Sequence, residues 1–178
     1  MSYVLNIYSP NDQPATVEKL KSRVESQGWT VTFVSHGHVS RQKIVKPQDL
    51  LQDDVLMYRW KADDEDAALF NKLMTEGDFT ALWELPTTFM KIAICGVSFS
   101  APFDINQEWD DDEIAELEEF DEEYVAHLRK AKSVYAIQAG KSNGSIEFTH
   151  DVWNIIGNLV GGLLDDAHEG TYKFIKAQ

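Results

Sequence analysis

Residues 3–34, YVLNIYSPNDQPATVEKLKSRVESQGWTVTFV, carry the pattern that decides the predicted fold. Tyr3–Tyr8 is a short apolar strand that ends at a Ser-Pro-Asn-Asp turn, and Val17–Val24 repeats apolar residues at helical spacing. Gly28 ends this helix, and Trp29–Val34 returns to the β-branched and aromatic residues of a strand. The stretch therefore predicts a βαβ unit, with a right-handed parallel crossover if both strands share one sheet.

The next segments extend this unit to a βαββαβ-like N-terminal half. The polar residues 35–48 predict a loop or an irregular edge, and Val55–Trp60 predicts a strand. Asp63–Met74 has acids at its start and apolar residues on one face, which predicts a second helix. Thr88–Val97 is the most apolar strand, so we expect it near the centre of the sheet.

The C-terminal half predicts a strand, a helix and a closing hairpin after the acidic segment. Val134–Gln138 is the strand, and His150–Val160 has apolar residues at helical spacing up to the Gly161-Gly162 break. Leu163–Asp166 and Thr171–Ile175 then form the hairpin; the alternative is that the helix continues to Asp166. Residues 1–178 thus predict one α+β domain with a mixed β-sheet and a lobe division near residues 98–107.

Residues 108–124, EWDDDEIAELEEFDEEY, predict an acidic amphipathic helix. They contain eleven carboxylates, and no Lys or Arg occurs between Asp104 and Leu128. Asp110 and Glu113 have the spacing of a capping box, and Trp109 and Ile114 flank this cap. An apolar stripe follows at three- and four-residue steps, which predicts one continuous helix docked on the sheet, with the stripe at Ile114, Leu117, Phe120, Tyr124, Leu128 and Ala131.

Helix stability alone does not explain the charge of this segment. Asp112 and Glu116, Glu118 and Glu122, and Glu119 and Glu123 are like charges four residues apart, which repel each other on a helix. Two interpretations stay open, a solvated face and a surface for a cationic partner. For the second, the predicted partner-binding residues are Glu108, Trp109, Asp111, Asp112, Glu116, Glu118, Glu119, Glu122 and Glu123.

The bulk composition excludes some classes of partner. A formal net charge of -14 argues against direct binding to nucleic acid or to an anionic membrane surface. No secretory signal is visible, and no apolar run approaches the roughly 20 residues that span a bilayer, so we expect a cytoplasmic protein without membrane contact. The one cysteine, Cys95, lies in an apolar run and is predicted to be buried.

No motif predicts catalysis, a cofactor or a metal. His36 and His38 lie close in sequence, but a metal site needs further ligands that no spacing supplies. Gly140-Lys141-Ser142 lacks the glycine-rich loop that wraps a phosphate, and Ser98 lacks the final glycine of a nucleophile elbow. We therefore predict no catalytic, cofactor-binding or metal-binding residues.

In its acidic, compact α+β character and its acidic segment, the chain resembles bacterial immunity proteins that neutralise toxins of contact-dependent or secretion-delivered systems. The resemblance is in overall character rather than in a motif. It implies a basic protein partner, such as a toxin domain (a nuclease, for example), inhibited by occlusion. The alternatives are a nucleic-acid mimic that inhibits a DNA-binding protein, an enzyme whose pocket the sequence does not reveal, and an assembly subunit.

Overall fold

The computed structural model describes residues 2–35, 45–46, 49, 54–61, 68, 72, 75–77, 92–140 and 144–178. It confirms the α+β class: in these residues, helices pack on one sheet of seven strands. Within the described residues the elements, in chain order, are β1 Val4–Ser9, α1 Val17–Glu25, β2 Thr30–Ser35, β3 Val55–Trp60, β4 Ala93–Ser100, α2 Ile105–Glu108, α3 Asp111–Phe120, α4 Glu122–Lys130, β5 Ser133–Ala139, α5 Ser145–Val160, β6 Gly162–Asp166 and β7 Thr171–Ile175.

The described strands pair in the order β2-β3-β4-β5-β1-β6-β7, and every one of these pairs is antiparallel. The prediction of a mixed sheet is therefore wrong for this part of the chain. β1 and β2 do share the sheet and run in the same direction, because four antiparallel steps separate them. Three strands lie between them, so the predicted βαβ unit forms without a parallel pair.

The closing hairpin is confirmed, and the alternative of a longer helix is excluded. α5 ends at Val160, and β6 and β7 pair from Gly162 opposite Ile175 to Asp166 opposite Thr171. The Asp166 side chain accepts hydrogen bonds from the backbone N–H groups of His168 and Glu169, at 3.0 and 3.1 Å. This carboxylate therefore holds the turn that reverses the chain.

One face of the sheet is covered by α1 and α5. Alternate residues of the strands, such as Ile7 and Ile137, are fully buried against apolar residues of the two helices, such as Leu20 and Ile156. The indole N–H of Trp153 donates to the carbonyl of Asn6 at 2.8 Å, which fixes α5 across β1. This face contains the larger part of the core.

The opposite face carries α2, α3 and α4 over β1, β5 and β6. Ile114, Val125 and Leu128 are buried there against Leu163 of β6, and Phe103 belongs to the same cluster. Strands β4 and β5, which flank the predicted lobe division near residues 98–107, pair directly with each other in the one sheet. The acidic segment is therefore docked on the part of the sheet that contains the first strand and the closing hairpin.

Several predicted elements lie partly or wholly outside the described residues. The strand over Val55–Trp60 is confirmed with the same bounds. Of the helix predicted over Asp63–Met74, Ala68 and Lys72 are described and are helical. The segment predicted as a loop or an irregular edge over residues 35–48 lies mostly outside the described residues, and the start of the strand over Thr88–Val97 and the two histidines at 36 and 38 lie wholly outside them.

Candidate functional site

The predicted partner-binding residues form one outward-facing region, which we call the acidic surface. Each of its carboxylates is exposed, whereas Trp109 is half-buried. The exposed members are Glu108 on α2, Asp111, Asp112, Glu116, Glu118 and Glu119 on α3, and Glu122 and Glu123 on α4. The charge that was concentrated in the sequence is therefore also concentrated in space.

The start of α3 has the predicted capping box. The carboxylate of Asp110 accepts from the Glu113 N–H at 2.8 Å, and the Glu113 carboxylate accepts from the Asp110 N–H at 2.9 Å. Ile114 is buried and Trp109 is half-buried in the same apolar cluster, as the flanking pair predicts. These contacts satisfy otherwise unpaired backbone N–H groups and fix where α3 begins.

The continuous helix predicted for the acidic segment is wrong, because the chain breaks at Asp121. Asp121 is extended, with φ -152° and ψ 92°, and it both ends α3 and caps α4 by accepting from the Tyr124 N–H at 3.0 Å. The side chain of Tyr172 on β7 also hydrogen-bonds this carboxylate. These contacts, the Tyr124 N–H first, lower the pKa of Asp121.

The break changes two earlier expectations. The predicted like-charge pairs Glu118 with Glu122 and Glu119 with Glu123 cross the break, so they are not neighbours on one helix. The predicted apolar stripe fails at Phe120, which is 90% exposed, while Val125 is fully buried in its place. The re-start of the helix at Asp121 turns Val125 towards the sheet and leaves Phe120 in solvent at the end of α3.

Neutralisation of the acidic surface within the described residues is limited to two contacts. Arg129 lies 3.7 Å from Glu118, and both side chains are 46% exposed. His127 lies 3.8 Å from Glu123, a pair that is ionic when the histidine is protonated. Exposed pairs of this kind contribute at most about 1 kcal/mol. The other carboxylates of the surface have no ion pair with any described Lys, Arg or His.

A shallow groove borders the acidic surface along α3. Its volume is about 400 Å³, and it is lined by Trp109, Glu113, Glu116, Leu117 and Phe120. We call it the Trp109 groove. Exposed apolar side chains indicate an interaction site mainly when they form a contiguous patch. Here Phe120 extends the half-buried surfaces of Trp109 and Leu117. The helix spacing alone did not indicate this groove, because it assigned Phe120 to the core.

The closing hairpin supports α4 from the side. The ring of His127 stacks on Phe174 with centroids 4.2 Å apart, and Tyr124 meets Tyr172 edge to face at 5.2 Å. The hydroxyl of Tyr124 donates to the carboxylate of Asp165 at 3.3 Å. Burial, together with the nearby carboxylates, raises the pKa of Tyr124, so this hydroxyl keeps its proton across the ordinary pH range. The α4 part of the acidic surface is therefore held in place by its contacts with the closing hairpin.

Other sequence features contribute no second site in the described part of the chain. Cys95 is fully buried, and burial raises the pKa of its thiol to about 12. Ser98 lies within strand β4, not at a strand-to-helix turn. Among the described residues, no group of three or more His, Cys, Asp or Glu side chains is placed to hold a metal ion. Lys141 and Ser142 lie outside the described residues.

Compared with protein-family models, curated proteins and solved structures, the chain matches none. Within the described residues, no helix has both the length and the apolar character needed to cross a lipid bilayer. The physical character of the acidic surface and of the Trp109 groove is therefore the basis for a functional proposal.

Proposed function

We propose that the protein binds a basic surface of another protein through the acidic surface, as an immunity protein that neutralises a toxin domain by covering its active region. The observation that carries this proposal is the set of exposed carboxylates on α2, α3 and α4, most of them without an ion-pair partner in the described residues. A toxin that acts on a polyanionic substrate needs a basic active region. That region is electrostatically complementary to these carboxylates.

The charges and the apolar side chains have different roles in this proposal. Clustered carboxylates steer a basic partner and raise the association rate, an effect that salt weakens. Phe120 supplies apolar area that becomes buried on binding. A few well-buried anchor side chains commonly hold most of the binding free energy of an interface. The support of α4 by the hairpin favours this use, because a fixed surface loses little conformational entropy on binding.

A nucleic-acid mimic is supported less well by the same geometry. α3 has ten residues, a length of about 15 Å, and the chain then turns at Asp121. The carboxylates therefore do not continue in one straight row along which phosphates could be imitated.

Affinity capture from the native cells, with wild-type protein and two charge variants as baits, tests the proposal. The test variant is Glu116→Gln with Glu119→Gln and Glu123→Gln. The control removes the same number of charges from exposed positions on α1 and α5, as Glu18→Gln, Glu25→Gln and Glu147→Gln. We expect wild type and control to retain a basic protein that is released by salt, and the test variant to retain much less.

The captured protein is then assayed for its own activity with increasing amounts of each bait. Dose-dependent inhibition by wild type and control, with weaker inhibition by the test variant, is the expected result. If the three baits capture the partner equally, the acidic surface is not the interface. If the captured partner keeps its full activity when it is saturated with the wild-type protein, the inhibitory role is contradicted.

A further inference from the structure

We propose that the Trp109 groove receives an arginine side chain of the partner, which makes the groove the site that selects the partner by residue type. This inference rests on the proposed function, because it concerns the same binding event. It adds a specific chemical requirement, a planar cation, to the general requirement for a basic surface.

The apolar walls of the groove are in place before any partner binds. Trp109 lies edge-on to Phe103, with centroids 6.5 Å apart, and its backbone N–H donates to the Ile105 carbonyl at 3.1 Å. Leu117 packs partly against the same cluster. Phe120 completes the wall with a ring that is 90% exposed. The exposed ring of Phe120 and the half-buried side chains of Trp109 and Leu117 therefore line the groove with apolar surface beside α3.

The charge of the groove comes from Glu113 and Glu116, which are three residues apart on α3. One oxygen of Glu113 accepts the Asp110 N–H, so its position is fixed, and the carboxylate keeps further acceptor capacity. Glu116 is exposed and has no ion pair within the described residues. Arg129 is engaged with Glu118, which does not line the groove.

This combination fits a guanidinium better than an ammonium group. A guanidinium can stack its flat face on an aromatic ring while its edge donates to a carboxylate. An ammonium group is a compact, strongly hydrated charge and cannot stack in this way. The aliphatic stem of arginine can also cover Leu117, as long charged side chains do on apolar surfaces. A planar cation can make both sets of contacts at once, one with its face and the other with its edge.

Short peptides test the groove without the natural partner. Acetyl-Gly-Arg-Gly-amide is titrated into the full-length protein, with the lysine and citrulline peptides as comparisons, while the Trp109 indole resonance is followed by NMR. We expect the arginine peptide to shift this resonance at severalfold lower concentration than the lysine peptide, with citrulline weakest. Glu116→Gln and Phe120→Ala should each weaken the response severalfold, whereas Glu147→Gln, which removes an exposed charge on α5 outside both the groove and the acidic surface, should not.

The proposal is overturned if the arginine and lysine peptides shift the Trp109 resonance equally. It is also overturned if Glu116→Gln and Phe120→Ala leave the response to the arginine peptide unchanged. Both variants change exposed side chains, and an unchanged unfolding temperature confirms that each is folded. The two proposals fail separately. If the triple Gln variant loses the partner but Phe120→Ala binds it with full affinity, the arginine site is contradicted and the proposed function is not. If the arginine peptide gives a selective response but the capture experiment yields no basic partner, the arginine site is supported and the proposed function is contradicted.

Discussion

Arg59 on β3 and Asp151 on α5 form an ion pair with an Nη1–Oδ2 distance of 2.9 Å. The Arg59 side chain is only 5% exposed, whereas the side chain of Asp151 is 37% exposed. The guanidinium lies over the rings of Trp29 and Phe148, at 4.1 and 4.5 Å from their centroids. Among the described residues, its Nε has no hydrogen-bond partner. In the described part of the chain, Asp151 is therefore the anionic partner of a buried guanidinium that lies over two aromatic rings.

Removing this carboxylate should destabilise the fold. We expect Asp151→Ala to lower the free energy of unfolding by about 2 kcal/mol, because a hydrogen bond to a buried charged group is lost. Glu147→Ala, which removes an exposed carboxylate from the first turn of the same helix, should change it by less than about 0.5 kcal/mol. Urea unfolding of the two variants measures the difference. Equal effects would contradict the structural role of the pair.

Gly162 should tolerate no side chain. Its φ is +129°, and a Cβ there would lie 2.2 Å from the carbonyl oxygen of Tyr8, which is backbone and cannot move aside. We expect Gly162→Ala to cost more than about 4 kcal/mol or to prevent folding. Gly28 also has a positive φ, +89°, but open space around it, so Gly28→Ala should cost about 1–2 kcal/mol from conformation alone. Chemical denaturation of both proteins makes the comparison, and similar losses would show that the contact with β1 is unimportant.

The thiol of Cys95 should be inert in the folded protein. Cys95 is fully buried in strand β4, and burial raises the pKa of its thiol to about 12, so very little thiolate forms at pH 8. We expect a thiol reagent to modify no cysteine in the native protein and one equivalent per chain after unfolding in guanidinium. Modification of the native protein faster than global unfolding would contradict the observed burial.

The protein should lose stability at alkaline pH through its buried tyrosines. Burial raises the pKa of Tyr8 and of Tyr58 to about 12, and for Tyr8 the charges of Asp165 and Glu108 add to the effect. Because these pKa values exceed the unfolded value near 10, the stabilisation is complete below pH 10 and is lost as pH rises towards 12. Urea unfolding at pH 9 to 11.5 should show this decline, and Tyr58→Phe should make it shallower. A stability that is flat over this range would refute the prediction.

The local elements could be predicted from the sequence because each has its own hydrophobic period. The strand Val55–Trp60 and the hairpin strand Thr171–Ile175 were located with the observed bounds. The strand order could not be predicted in this way. Alternation in β1 shows which residues are buried, but not that Tyr8 lies beside Val134 on one side and Leu163 on the other. That choice depends on packing between distant segments.

In the acidic segment, a local sequence signal predicted the structure correctly where no other signal conflicted with it. The capping box at Asp110 and Glu113 was predicted from spacing alone. The break was missed because Tyr124 continues the apolar spacing past it, so the periodic pattern concealed a second helix start. The available signal was Asp121 itself, a good N-cap residue followed by two acids in the first turn of α4. Giving that signal more weight would have placed Phe120 at a helix end.

The position of β1 between β5 and β6 has a consequence for how the chain folds. In the described sheet, β1 obtains both of its neighbours, β5 and β6, from segments that lie far from it along the chain, and Tyr8 pairs with Leu163. Such a high contact order slows folding and leaves apolar β1 residues exposed on the nascent polypeptide. We therefore expect β1 to be a client site for chaperones until β5 and β6 have been synthesised.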